Sequence, residues 1–164
     1  MSRRLPAFAL AALACATAVA AAPIPAFPGA EGYGAYATGG RGGDVYTVAN
    51  LNRSGPGSFA EGISTVPPQG RTIVFAVAGY IPINKARVSA PRVTIAGQTA
   101  PGGGVGLKGS SFWISGSDVV IRHLRFRHGR HGNGGDALDT DSGATNLMID
   151  HCDMLFSADE NFSM

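Results

Sequence analysis

Cysteine is nearly absent from this chain. Two occur in 164 residues, and Cys15 lies in a leader-like stretch, which leaves Cys152 alone in the remainder. An intrachain disulfide framework is thereby excluded. Charge is sparse, at 15% Asp, Glu, Lys and Arg, and aromatic residues make up 8% with a single tryptophan. Lys and Arg do not occur at all in residues 136–164. No apolar run has the ~20 residues and flanks of a membrane-spanning helix. The sequence has no Gly-x-Ser-x-Gly and no His-Glu-x-x-His. Its glycine run, Pro101-Gly-Gly-Gly-Val-Gly106, precedes no helix pattern, which argues against a nucleotide site.

The first 20 residues read as a secretory signal peptide. Arg3 and Arg4 form the basic start, Leu5 to Ala14 the apolar run, and Ala18-Val-Ala20 the cleavage motif. A lipoprotein signal at Cys15, preceded by Ala-Leu-Ala, is the less favoured reading. Without Arg3 and Arg4, 13 − 2 = 11 basic residues face 11 acidic ones, so the mature chain is near neutral. That balance does not support nucleic-acid binding. The charges are segregated, however. Residues 21–135 carry 11 basic and 4 acidic side chains, and residues 136–164 carry 7 acidic ones. The acidic block is interleaved with Leu147, Ile149, Cys152, Met154 and Phe156, so it belongs to a fold and not to a solvated tail.

What the chain does have is a repeat. Val119-Val-Ile-Arg-His-Leu-Arg-Phe126 and Leu147-Met-Ile-Asp-His-Cys-Asp-Met154 share one pattern, which lays Arg122 on Asp150, His123 on His151, Leu124 on Cys152 and Arg125 on Asp153. Arg92-Val-Thr-Ile-Ala-Gly97 and Thr72-Ile-Val-Phe-Ala-Val77 carry the same opening alternation. Strand starts near 72, 93, 119 and 147 give steps of 21, 26 and 28 residues. Short strands at such periods point to a solenoid, whose units bury a core only by stacking. Glycine, 24 residues in all, and proline punctuate every strand, as tight corners require. Connections longer than two-residue hairpin turns favour a parallel β-helix over a β-sandwich. Period-2 alternation predicts a core of Ile73, Phe75, Val93, Ile95, Val119, Ile121, Leu147 and Ile149, with Cys152 as a small inward residue.

The expected organisation is a signal peptide at 1–20, an N-terminal arm and cap at 21–71, and the first coils of a β-helix at 72–164. Residues 23–43 read as an irregular arm or edge strand. Asp44-Val-Tyr-Thr-Val48 reads as a first strand, and Ser58-Phe-Ala-Glu61 as a capping box opening a short helix that Pro67-Pro68 stops. The series of coils looks incomplete at its C-terminal end.

The acidic block is the place for chemistry. Asp136, Asp139, Asp141, Asp150, Asp153, Asp159 and Glu160 offer oxygens suited to a hard cation such as calcium, though not with EF-hand spacing. Solvation, or pairing with Arg122, Arg125, Arg127 and Arg130, is the plainer alternative. Arg122 and Asp150 at matching positions predict a ladder pair, and His123 and His151 a stack. His128 and His131 lie in the glycine-rich loop 127–135. Phe112 and Trp113 are open to two readings, a sugar-stacking platform or inward core residues.

Several stretches carry a family resemblance: Ala26-Phe-Pro-Gly-Ala-Glu-Gly-Tyr-Gly34, Thr38-Gly-Gly-Arg-Gly-Gly43, Leu51-Asn-Arg-Ser-Gly-Pro-Gly-Ser58, Val93-Thr-Ile-Ala-Gly-Gln-Thr-Ala-Pro101 and Ile149-Asp-His-Cys152. In that order they resemble the extracellular pectate lyases, and Ser157-Ala-Asp-Glu160 resembles the bacterial members. The resemblance implies an all-β, right-handed parallel β-helix, secretion, and calcium-dependent β-elimination of polygalacturonate. It implies that Asp136 is a calcium ligand and that Asp159 is the first of a second acidic pair. The partner position holds Ser163, so Glu160 is the substitute, and Gly134 stands where many members have a further acid. The family's catalytic arginine and its lysine partner match no residue up to 164, so this chain alone is expected to be an inactive fragment. The complete protein is expected to be a monomer acting on acidic polysaccharide. The alternatives are a noncatalytic β-helix that binds such a polymer, and a glycoside hydrolase on the same scaffold.

Overall fold

The computed structural model describes residues 22–129 and 134–164. The signal-peptide reading, Arg130 and His131 fall outside the described residues. Strand β1 (Asp44–Val48) and helix α1 (Phe59–Ser64) come first. Four three-strand turns follow: β2 (Arg71–Phe75), β3 (Gly79–Pro82) and β4 (Ala86–Val88); β5 (Val93–Ala96), β6 (Val105–Lys108) and β7 (Phe112–Ile114); β8 (Val119–Arg122), β9 (Arg125–Arg127) and β10 (Leu138–Thr140); β11 (Leu147–Asp150), β12 (Asp153–Leu155) and β13 (Phe162–Ser163). Equivalent strands stack in parallel into three sheets. Sheet A runs β1-β2-β5-β8-β11, sheet B β3-β6-β9-β12, and sheet C β4-β7-β10-β13. This is a parallel β-helix.

The repeat sets the register. Leu147, Ile149 and Asp150 lie on Val119, Ile121 and Arg122, and Asp153 lies on Arg125. Each long repeat is two strands, broken where His123 (φ 52°) and His151 (φ 51°) adopt the left-handed conformation. A second left-handed column, Arg92, Asp118 and Asn146, precedes β5, β8 and β11. Stacked coils must turn at the same place, so the corners recur in register.

The interior follows the alternation. Ile73, Phe75, Val93, Ile95, Val119 and Ile121 are buried, while Leu147 and Ile149, on the last strand of sheet A, are partly buried against the same core. A file of phenylalanines runs through it: Phe59–Phe75 and Phe59–Phe112 are 6.1 Å apart between ring centroids, and Phe112–Phe126 are 5.5 Å apart. Each such contact contributes about 0.5–1.5 kcal/mol beyond area burial. Phe59 and Ile63 belong to α1, whose buried side covers the first end of the core.

The capping box differs in one bond. Ser58 Oγ accepts the Glu61 N–H at 3.2 Å, but Glu61 Oε2 accepts from Gly57 N–H at 2.8 Å and from the Tyr46 hydroxyl at 2.6 Å. Buried Arg71 holds the helix to sheet A. It forks onto Asp44 at 2.8 and 2.7 Å and donates to Gly62 O at 3.0 Å and Thr65 Oγ1 at 2.8 Å.

Residues 22–43 form no strand. They lie as an arm over the outer face of sheet A, where Ala35 and Ala37 bury Val120 and Met148. Gly40 N–H donates to Thr94 Oγ1 at 2.9 Å. The small residues have a steric reason. A Cβ on Gly39, whose φ is +54°, would meet Thr94 Oγ1 at 2.1 Å.

Candidate metal centre

Asp136 ends the connection into β10, and Asp159 and Glu160 end the connection into β13. Because β10 and β13 pair in parallel, with Leu138 opposite Phe162, these two approaches are stacked. Ala137 N–H donates to Glu160 O at 3.3 Å and Leu138 N–H to Asn161 O at 3.2 Å. In return Glu160 N–H donates to Asp136 Oδ1 at 3.0 Å. The result is three carboxylates with ligand oxygens all within 4.8 Å of one another.

The cluster concentrates negative charge. The backbone N–H of Glu160 pulls its carboxyl down, but the hydrogen bond and charge of Asp159, with Asp136 adding to them, outweigh it and raise the group above the ordinary range. Like-charged neighbours disfavour ionisation, and a bound cation reverses that preference. Carboxylate oxygens are donors suited to calcium, which takes six to eight oxygens in all, so protein carbonyls and water must complete the shell. Ser163 is not at this centre: it lies further along β13, opposite Asp139. Gly134 is exposed and brings no side chain.

The remaining acids have other partners. Asp150 takes Arg122 Nε at 2.6 Å. Asp153 takes Arg127 at 2.5 Å, the diagonal neighbour of its register partner. Arg125 itself lies over the Tyr80 ring, 5.0 Å from its centroid. Asp141 pairs with Arg87, an arginine outside the four expected as partners of the acidic block. Asp139 accepts the Trp113 indole N–H at 2.9 Å.

Phe112 and Trp113 separate by strand alternation. Phe112 is fully buried, and Trp113 faces outward between Arg87 and Asp139 on sheet C. The Arg87 guanidinium lies 5.6 Å from the indole centroid. Only the three-strand period aligns Arg87 with Trp113, and β4 shows no pattern strong enough to reveal it in sequence. His128 is buried, with Nδ1 3.0 Å from Gly129 O. Cys152 is half-buried against the core, and burial pushes its thiol up.

The chain is 46% identical over 140 residues to a probable pectate lyase C of Emericella nidulans, a match covering 85% of this chain and 32% of that protein. It is 45% identical to the probable pectate lyases C of Aspergillus terreus and Aspergillus fumigatus, with 85–86% of this chain and 33% of each relative covered. By sequence, the chain is similar to part of these probable pectate lyases. It spans about a third of the length of the curated relatives it matches. No protein-family model matches it. Among solved structures, Jun a 1, the major allergen from cedar pollen, aligns with a TM-score of 0.64 at 23% identity, covering 80% of this chain and 43% of the allergen. That likeness concerns the fold alone. The pectate lyase relationship and the parallel β-helix are thus reached by separate routes.

Proposed function

We propose that the protein is a secreted, monomeric, calcium-dependent lyase that cleaves an acidic polysaccharide of the polygalacturonate class by β-elimination. In this reading Asp136, Asp159 and Glu160 form part of its calcium site. The observation that carries it is the convergence of three carboxylates from two stacked coils, with ligand oxygens within 4.8 Å, in a chain about 45% identical to probable pectate lyases. A glycosidase uses a pair of carboxyl groups, whereas three carboxylates gathered on one point offer the oxygen donors of a shared cation.

Bound calcium supplies Lewis acidity toward a uronate carboxylate and so favours loss of the carbon 5 hydrogen. The chain's own contribution is to hold the ligands. The Glu160 N–H orients Asp136, and the β10–β13 pairing keeps both acidic approaches in step. Proton removal is not assigned to the arginines near the repeat. Arg122 and Arg127 are ion-paired and Arg125 covers Tyr80, all on sheets A and B, whereas the carboxylates precede sheet C.

Calorimetric titration of calcium into the full-length protein tests the site. Alanine at Asp136, Asp159 or Glu160 should each weaken binding. Unchanged affinity in all three would remove them from it. Binding of polymer without cleavage would instead favour a noncatalytic β-helix, and reducing ends formed in the presence of chelator would favour a hydrolase.

A further inference from the structure

A second group of metal-ligating side chains lies at the corner between sheets A and B, remote in the fold from the carboxylates ahead of sheet C. His123 and His151 occupy the same left-handed corner on successive coils, and their rings stack with centroids 4.9 Å apart and planes 27° apart. His151 is exposed, at 66% for its side chain. Its Nδ1 lies 2.8 Å from Asp150 Oδ1. An ionised carboxylate only accepts, so Nδ1 carries the hydrogen and Nε2 of the neutral ring keeps its lone pair. Carboxylates commonly orient metal-binding histidines in this way. The carboxylate is itself fixed, because Arg122 holds Oδ2 at 2.6 Å while its guanidinium rests 3.6 Å from the Phe27 ring centroid. The charge of Arg122 is therefore compensated within the pair and does not stand free beside the imidazoles.

From this geometry we infer that His123 and His151 bind a borderline-soft divalent cation such as zinc or nickel, with Asp150 positioning His151. Ligand atoms of the three residues lie within 4.8 Å of one another. Metal–nitrogen bonds of about 2.0–2.1 Å lie in the plane of each imidazole, so the stacked rings must turn out of parallel for both nitrogens to face one ion, and water fills the other positions. Imidazole selects zinc, nickel and copper over calcium and magnesium. The corner and the carboxylate cluster therefore take different ions.

The test uses tag-free, chelator-stripped full-length protein titrated calorimetrically with zinc in a calcium-containing buffer. One zinc should bind per chain. His123→Asn and His151→Asn should each abolish or greatly weaken it, and asparagine retains the left-handed corner, which circular dichroism would check. Asp150→Asn should weaken it about tenfold, and Asp136→Asn should leave it unchanged. Zinc should also shift the ring resonances of His123 and His151, and calcium should not. No zinc binding, or binding that survives His151→Asn in a folded variant, overturns the inference. Calcium binding at the other site can fail independently of either result.

Discussion

Arg122 on β8 and Asp150 on β11 meet across adjacent coils, Nε to Oδ2 at 2.6 Å, with side chains only 22% and 20% exposed. They are one of the pairs that the internal repeat superimposes. The pair is more enclosed than a surface bridge and should couple by about 1–2 kcal/mol, between the exposed and buried cases. A double-mutant cycle by urea unfolding measures it, and a coupling of only about 0.2 kcal/mol, the low end for exposed pairs, would mean that the pair aligns the coils without stabilising them.

Acid should unfold the protein partly through two aspartates. At Asp44 the bidentate Arg71 holds the carboxyl below the ordinary range. At Asp150 burial pushes the carboxyl up, but Arg122 and His151 outweigh it and hold it down. The unfolded groups titrate near ~3.9. A folded pKa below that gives stability that is complete above the unfolded value and is lost as pH falls through the folded one. Thermal midpoints should therefore drop below about pH 4, and Asp44→Asn with Asp150→Asn should flatten that limb. An unchanged acid limb in the double variant would assign it elsewhere.

The arm should depend on Gly39. Gly39→Val introduces a branched side chain at φ +54° and against Thr94 and Val120. It should lift the arm from sheet A and raise hydrogen exchange at Gly40, whose N–H is otherwise bonded to Thr94. A cost of about 1–3 kcal/mol is expected from backbone strain. Normal protection at Gly40 would show that the sheet yields instead.

Much of this was legible in the sequence, and the reason is periodicity. The repeat fixed Arg122 on Asp150 and His123 on His151, because a parallel solenoid converts sequence offset directly into stacking. The first strand and the short helix were legible from alternation and from the Ser58–Glu61 spacing. The third strand of each turn was not. It has three residues in β4, β7 and β10, and two in β13, too few to show a period. Asp141–Arg87 and Trp113–Asp139 depend on it and so stayed hidden. The burial of Val120 and Met148 was hidden too, because their cover comes from a strandless arm distant in sequence. Asp136, Asp159 and Glu160 were selected by resemblance to a family motif, and their mutual approach follows from the β10–β13 pairing.

Glu160 should report on the cation. Its own backbone N–H pulls its carboxyl down, but Asp159 and Asp136 together outweigh that and raise it. A folded pKa above the unfolded value means that the ionised cluster is relatively unfavourable once pH exceeds both. In chelator at neutral pH, Glu160→Gln should therefore raise the thermal midpoint. In calcium the wild type should gain more than the variant, since binding to the folded state stabilises it by mass action, about 2.7 kcal/mol at a hundredfold excess over Kd. Equal calcium gains in both proteins would place Glu160 outside the coordination shell.

The most direct measurement of the central claim is product formation by the full-length protein on polygalacturonate. β-Elimination leaves an unsaturated uronate end that absorbs in the ultraviolet. Absorbance should rise with calcium, stop with chelator, and fall by at least about tenfold in a folded Asp136→Ala, Asp159→Ala double variant, which loses metal-based stabilisation worth several kcal/mol. Undiminished product formation in chelator, or in that variant, would contradict the assignment of these carboxylates to a calcium-dependent lyase site.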